Sequence, residues 1–467
     1  YTSKKTLIKI LKRLIVFLLA ITLIVIVSGI IMLPRPLFND GFSTVVFDRN
    51  GMLLGAKVAP DQQWRFQGDT ILPYKFEKAI LNYEDKYFYY HPGINIFSIV
   101  TSIRDNLSAG KIVRGGSTIS MQLIRISRKG KPRVYVEKLI ESIMAIGLEC
   151  THSKREILSL YSANAPFGGN VVGLNAASWR YFKRSPEDLS WAESATLAVL
   201  PNAPALIHPG RNRDALKLKR NSLLKDLYEE KIIDSIQYQL ALLEPIPDKV
   251  VPMEQLAPHF LEFVNSKFSG KLTYSTIDIK KQQLLNSIMA QHAPTLKEFG
   301  VENGAALIVD TDTKEILAYA GNFSNQKMEI KDAFNDMIQA KRSTGSIMKP
   351  FLYAAMLDGG EILPNSLIRD IPSYFDNYFP QNYTNEFEGA VPASLALSKS
   401  LNVPAVYMLQ EYGIGRFLIL LKQLGFTSFK RNADFYGLTL ILGGGEASLF
   451  ELVGAYAGMA KVVVDYD

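Results

Sequence analysis

The chain has 467 residues, of which 21% are charged and 48% hydrophobic, and its formal net charge is +7. That length supports two or three domains with cores of their own, and that balance excludes a disordered or collagen-like chain. So small a basic surplus does not call for nucleic acid, and an anionic membrane surface or a phosphorylated substrate is served equally well.

Residues 14–33 form an uncharged apolar run of the length a bilayer core requires, about 20 residues. Lys4, Lys5, Lys9, Lys12 and Arg13 precede it. Basic residues stay in the cytoplasm, so the run reads as an uncleaved anchor, with a cytoplasmic tail over 1–13 and the bulk of the protein outside. No small-x-small cleavage signal precedes Pro34, which separates it from a signal peptide.

Pro34-Arg35-Pro36 breaks the helix. Two short β runs, Thr44-Val45-Val46-Phe47 and Met52-Leu53-Leu54, then flank Asp48-Arg49-Asn50-Gly51. Asn-Gly supplies the positive backbone angles of a tight hairpin, so 34–72 reads as a β pedestal near the membrane. The spacing of Phe76, Ile80, Tyr83 and Tyr87 predicts a helix over 76–90, stopped by His91-Pro92-Gly93. From there to about residue 200 the pattern is helical, with long segments at 94–108, 117–128, 133–150, 153–163 and 187–200. Cys150 is the only cysteine, so no internal disulfide is available and the thiol reads as a buried, inert residue. The proline-marked stretch 201–252, with a basic helix over 214–228, reads as a connector. Beyond residue 271, short β runs at 272–276, 305–310 and 316–320 followed by helical spacing around 346–357 predict an α/β domain.

Two groups of residues carry chemistry. In the first, Glu84 and Asp85 are adjacent, so on a helix their side chains diverge by about 100° and cannot work as a pair on one bond. Either could be the acid/base group. Glu141, at the border of an apolar helical face, is a second carboxylate whose pKa partial desolvation would raise, although a surface glutamate is the ordinary case. Gly115-Gly116-Ser117-Thr118 follows Arg114. Ser117 can cap a helix running through Gln122 and Arg125, which would leave N–H groups free to cradle a phosphate.

Four ordered motifs here resemble those of the peptidoglycan glycosyltransferase (family 51) domain over residues 73–209. They are Glu84-Asp85-x-x-Phe88-x-x-His91-x-Gly93, then Gly115-Gly116-Ser117-Thr118-Ile119-x-x-Gln122, then Lys138-x-x-Glu141, then Lys154-Arg155-Glu156-Ile157-Leu158-x-x-Tyr161-x-x-Asn164. Ala165-Pro166-Phe167-Gly168-Gly169 is similar to the 1C subgroup of class A penicillin-binding proteins. The resemblance implies a mostly α, lysozyme-like domain that polymerises lipid II, with inversion at the sugar carbon and release of polyprenyl pyrophosphate. It implies Glu84 as general base and Glu141 as the second catalytic glutamate. It places Asp85, Phe88, His91, Ser117, Thr118, Gln122, Arg125 and Lys138 on substrate, where fixed cations and N–H donors suit a pyrophosphate leaving group. Two departures stand out: Glu137 precedes Lys138 where the family has Arg-Lys, and Tyr161-Ser162-Ala163-Asn164 replaces Tyr-Leu-Asn.

In the second group, Ser346-Ile347-Met348-Lys349 puts a hydroxyl and an amine on one helix face, and Ser400-Leu401-Asn402 supplies a further hydroxyl and amide. Such serine–lysine and Ser-x-Asn sets occur in penicillin-binding proteins and β-lactamases. With Phe334-Asn335 and Gln339-Ala340 before them and Val403-Pro404-Ala405 after, they resemble a class A transpeptidase domain. Ser346 would be acylated by stem peptide or penicillin, with Lys349 as its base, Ser400 as proton relay and Asn402 holding the peptide amide. No Lys-Thr-Gly or Lys-Ser-Gly follows Asn402 and the chain begins with Tyr1, so it reads as open at both ends, with a truncated transpeptidase domain over 271–467 that penicillin labels weakly.

The expected protein is thus multidomain: anchor, glycosyltransferase domain, linker over 210–270, and a serine–lysine, β-lactamase-like α/β domain. Its partners would be lipid II and the growing glycan chain, stem peptides, β-lactam antibiotics, the bacterial inner membrane and cell-wall synthesis proteins, with no nucleic acid. No organic cofactor is expected. His91, His152, His208, His259 and His292 show neither HExxH spacing nor cysteine partners, so a divalent cation such as Mg²⁺ would have to sit on carboxylate and pyrophosphate together. Competing readings are a non-catalytic membrane-anchored scaffold that binds lipid II and a β-lactamase-type serine hydrolase.

Overall fold

The computed structural model describes residues 2–68, 71–110, 115–129, 134–202, 209–247, 250, 252–323, 333–375 and 378–466. They divide into two compact units, one of residues 1–255 with 261–275 and the other of 256–260 with 276–467.

In the first unit, helix α1 (Thr2–Met32) contains one segment, Ile8–Met32, that is long and apolar enough to cross a membrane. Strands β1 (Thr44–Phe47) and β2 (Leu53–Lys57) form the predicted antiparallel hairpin. Only Gly51 takes a positive φ, of 79°, in its turn. Asp48 N donates to Met52 O and Gly51 N to Asp48 O, so a type I-like turn closed by one left-handed glycine replaces an Asn-Gly turn with two positive angles. A third strand, β6 (Leu272–Tyr274), lies parallel to β1. The pedestal is therefore a three-stranded sheet completed from residues expected in the second domain.

Seven of the helices that follow are α2 (Tyr74–Glu84), α3 (Ile96–Ala109), α4 (Ile119–Ser127), α5 (Tyr135–Thr151), α6 (Lys154–Asn164), α7 (Leu174–Phe182) and α8 (Trp191–Val199). The predicted 76–90 helix stops at Glu84, because Asp85 turns to φ −160° and donates its N–H to Leu81 O. A short 3₁₀ turn, Phe88–Tyr90, follows. Between the expected helical segments 153–163 and 187–200, in a stretch read as almost wholly helical, β4 (Pro166–Gly168) and β5 (Val171–Val172) make a small sheet with β3 (Trp64–Arg65). The supposed connector is part of the core. Helix α9 (Arg213–Glu229) buries Leu216, Arg220, Leu223, Leu224 and Leu227, a helical stripe, and α10 (Ser235–Leu243) packs beside it. Arg220 is fully buried and donates to Glu244 O at 2.6 Å. The basic, proline-flanked composition of this stretch concealed the stripe. Cys150, expected to be buried, is exposed, because it lies in the last turn of α5.

Helices α1 and α5 cross at Gly29 and Gly147. A methyl group on Gly147 would lie 2.3 Å from the Gly29 carbonyl carbon, so these backbones approach too closely for any side chain. This is the small-residue packing by which apolar helices associate without a hydrophobic driving force.

The second unit contains the predicted hairpin of β7 (Ala306–Val309) and β8 (Ile316–Ala320), which packs on α12 (Ile279–Glu298), the helix after α11 (Pro258–Phe268). Two further antiparallel pairs are β9 (Lys341–Ser343) with β12 (Glu446–Ser448) and β10 (Leu367–Asp370) with β11 (Gly389–Pro392). Helices α13 (Lys349–Asp358), α14 (Ala393–Ser398) and α15 (Asn402–Tyr412) carry the Ser346 group, over a core that includes Phe351, Leu352, Val406, Leu409 and Phe417. The mixed α/β character expected of this domain is what folds.

Candidate functional site

Glu84 ends α2, the point where a helical side chain can leave the packed face. Its Oε2 accepts from Gln122 Nε2 at 2.7 Å, and Gln122 Oε1 accepts from Tyr161 OH at 3.3 Å, which locks the amide orientation. Glu84 Oε1 is enclosed and has no partner. Burial raises the Glu84 pKa, opposed by the Gln122 hydrogen bond and by the charges of Arg125 and Lys219. An enclosed carboxylate with raised proton affinity and one unfilled oxygen suits a general base. Glu141, on α5, is half-buried; desolvation raises its pKa too, again opposed by Arg125. Arg125 is thus the cation felt by both glutamates. A cavity of about 570 Å³ opens beside Gln122, Arg125, Tyr161 and Asn164.

Asp85 and its neighbours are engaged by partners within the protein. The Asp85 side chain is 3% exposed; both of its oxygens lie 3.0 Å from His91 Nε2, and Oδ2 accepts from Ile119 N at 3.0 Å. Gly93 N donates to His91 Nδ1, which leaves the imidazole proton on Nε2, facing Asp85. Thr118, not Ser117, caps α4: its Oγ1 accepts from Met121 N and donates to Gly93 O. Phe88 is fully buried. Asp85, Phe88, His91 and Thr118 are therefore bonded or packed within the protein, beside Glu84 and at the start of α4. The anion cradle expected at this helix start is filled by the protein's own carboxylate and hydroxyl, because a buried helix end needs partners for its free N–H groups. Ser117 is half-buried and Arg114 lies outside the described residues.

Lys138 is exposed and close enough to lower the Glu141 pKa. Glu137, where a cation was expected, holds Arg128, whose Nε donates to Glu137 Oε1 at 2.7 Å. The exchange of sign keeps a guanidinium at this edge. Sequence reasoning missed Lys219: it lies on α9, donates to Asn202 Oδ1 at 3.1 Å and acts on Glu84 by its charge. Its only sequence signal was a basic helix, read as linker.

In the second unit, Ser346 sits in the 3₁₀ turn Gly345–Met348 that runs into α13. Lys349 is 2% exposed, and burial lowers its pKa to about 8. Its Nζ donates to Ser400 O and Asn402 Oδ1, both at 2.8 Å, and to Ser400 Oγ at 3.3 Å. Ser400 holds φ at 53°, a left-handed conformation unfavourable for a residue with a side chain, and it aims both of its oxygens at Lys349. Asn402 Nδ2 donates to Gln381 O, so both ends of the amide expected to hold substrate are engaged inside the protein. Among the described residues, no hydrogen bond reaches the Ser346 hydroxyl. Asn382 and Asp370 were not foreseen. Buried Asn382 accepts from Asn402 N at 2.9 Å and donates to Asp370 at 2.8 Å, which fixes the start of α15.

Comparison with known proteins finds a match to the transglycosylase family over residues 56–228 and to the penicillin binding protein transpeptidase domain over 304–439. Penicillin-binding protein 1C of Escherichia coli (strain K12) is 34% identical over 92% of this chain and 55% of its own. Penicillin-binding protein 4 of Bacillus subtilis (strain 168) is 27% identical over 80% of this chain and 65% of its own. Penicillin-binding protein 1B of Haemophilus influenzae is 30% identical over 73% of this chain and 47% of its own. The chain spans about half the length of the penicillin-binding proteins 1C and 1B that it matches.

Proposed function

Because this chain belongs to the penicillin-binding proteins that join a transglycosylase domain to a transpeptidase domain, we propose that its first unit polymerises lipid II into glycan strands. The 4-hydroxyl of an incoming lipid II attacks the anomeric carbon of the growing chain. Glu84 Oε1 takes the hydroxyl proton as the C–O bond forms, and the bond to polyprenyl pyrophosphate breaks with inversion. Arg125 and Lys138 stabilise the departing pyrophosphate charge, and Glu141 orients it. The observation that carries this reading is the enclosed Glu84 carboxylate with one oxygen unfilled, held by Gln122.

Among the described residues, no cluster of three or more His, Cys, Asp and Glu is placed to hold a metal. A divalent cation such as Mg²⁺ would be carried by the pyrophosphate together with Glu141. Helix α1 would anchor the chain in the bacterial inner membrane, with Lys9, Lys12 and Arg13 on the cytoplasmic side and both units outside, so that a substrate with a lipid tail meets the site at the bilayer surface.

The second unit carries the apparatus for acylation of Ser346 by stem peptides or β-lactams. Lys349, neutral above its lowered pKa, would take the serine proton, and Ser400 would relay it. Incubating the purified chain with lipid II in micelles, then separating lipid-linked products, tests the first assignment. Glycan strands with released polyprenyl pyrophosphate are expected, and lipid II recovered intact but bound would favour the scaffold reading.

A further inference from the structure

On the first unit, away from the Glu84 group, a cavity of about 450 Å³ is walled by the β1–β2 hairpin, the segment before α2, α7 with the turn after it, and β6. Its volume falls in the range of small-molecule sites, about 300–1,000 Å³. Tyr274 stacks on Phe47 with ring centroids 5.3 Å apart at 26°, and Phe47 in turn meets Trp179 at 5.6 Å. The outermost ring of this series, Tyr274, is 68% exposed, a large aromatic face held on a strand with no partner covering it.

The polar lining is specific in kind. Asn175 donates to Gln67 O at 3.1 Å, which fixes its amide and leaves its carbonyl oxygen available. Glu187 is fixed by Ser185 Oγ. Trp179 also lines this cavity, packed against Phe47. Among the described residues, no lining residue is basic, in contrast to the cleft with Arg125. A phosphate or pyrophosphate would have no counter-charge here. An apolar ring face beside planar amide and carboxylate groups matches a pyranose, whose C–H faces stack on aromatics and whose hydroxyl and acetamido groups exchange hydrogen bonds at the rim.

We propose that this cavity is a second saccharide site, which takes an uncharged N-acetylhexosamine-type segment of glycan with Tyr274 as stacking platform and Asn175 and Glu187 as polar contacts. The site requires binding and no turnover, so it stands apart from the polymerising activity of Glu84.

The experiment is calorimetric titration of the full chain in micelles with a soluble β-1,4-linked oligomer of N-acetylglucosamine. The parent should bind. Tyr274→Ala and Asn175→Ala should each weaken binding about five- to tenfold, the loss of one stacking or hydrogen-bonding contact. Tyr274→Phe should retain most of the affinity, and the double change Gln122→Ala with Arg125→Ala, which alters the lining of the catalytic cleft, should bind the oligomer as the parent does, which separates this site from that cleft. Absence of binding by the parent, or binding that Tyr274→Ala leaves unchanged, overturns the proposal. So does a stem pentapeptide that displaces the oligosaccharide at equal concentration, since it would make the cavity a peptide site.

Discussion

Replacing Asp85 by asparagine separates a positioning role from a substrate-binding one. The Asp85 carboxylate receives two protons, from His91 Nε2 and from Ile119 N at the start of α4, with all contacts at 3.0 Å. Asparagine can accept only through its oxygen, so its NH₂ must face one of those donors. One charge-assisted hydrogen bond, worth about 1.5–3 kcal/mol, is lost, and a buried donor is left opposed to another at a further cost of about 1 kcal/mol. The expected total is about 2–4 kcal/mol, which for a unit of this size lowers the melting temperature by about 5–15 °C. Polymerisation should fall as well, through a lower maximal rate, because Glu84 is the adjacent residue and Gln122, its partner, rides on α4. Thermal melting followed by steady-state kinetics with lipid II reads both effects. A variant that melts with the parent and shows only a raised KM would refute the reasoning, since that is how a substrate contact behaves.

Burial holds the Glu84 pKa above its ordinary value of 4.5, so folding favours the protonated acid: the parent is most stable below that pH and loses stability as the carboxyl ionises, with pH rising through the folded value. Glu84→Gln, which has no charge to bury, should therefore be more stable than the parent at pH 7 by about 1–3 kcal/mol, and the gain should vanish near pH 4, where the carboxyl is neutral as well. Melting curves across that range check it; an equal gain at both ends would be inconsistent. Lys349 must be neutral to act as base, and burial sets its pKa at about 8, so acylation of Ser346 by a fluorescent penicillin should quicken as pH rises through 8. A rate flat from pH 6 to about 9 would remove Lys349 from that role. Gly147→Ala should push α1 from α5, because its methyl would lie 2.3 Å from the Gly29 backbone, and should cost about 1–3 kcal/mol in micelles. Gly454→Ala, which meets nothing within 4 Å, serves as the control and should melt as the parent does.

Much of the architecture was legible from periodicity alone. Helices α3 to α6 fall where apolar spacing put them, and the β7–β8 hairpin and α13 follow their sequence signals. Lys349, Ser400 and Asn402, singled out by the Ser-x-x-Lys and Ser-x-Asn spacings, meet through hydrogen bonds in the structure. What escaped was long-range. Nothing local reveals that the Ile119 N–H is taken by a carboxylate 34 residues earlier in the chain, so a helix start that looked open to phosphate is closed. The strand β6 has an ordinary β signal, but only the fold shows that it pairs with β1. Helix α9 was hidden because its lysines and arginines outweigh the leucine stripe on its buried face.

The central claim is that Glu84 takes the proton during glycosyl transfer, and the initial rate of lipid II polymerisation by Glu84→Gln against the parent tests it most directly. Glutamine fills the same space and cannot accept a proton as a carboxylate does. A fall of at least about a hundredfold is expected with lipid II binding intact, in line with the usual contribution of a general base. A variant that polymerises at the parent's rate would contradict the account.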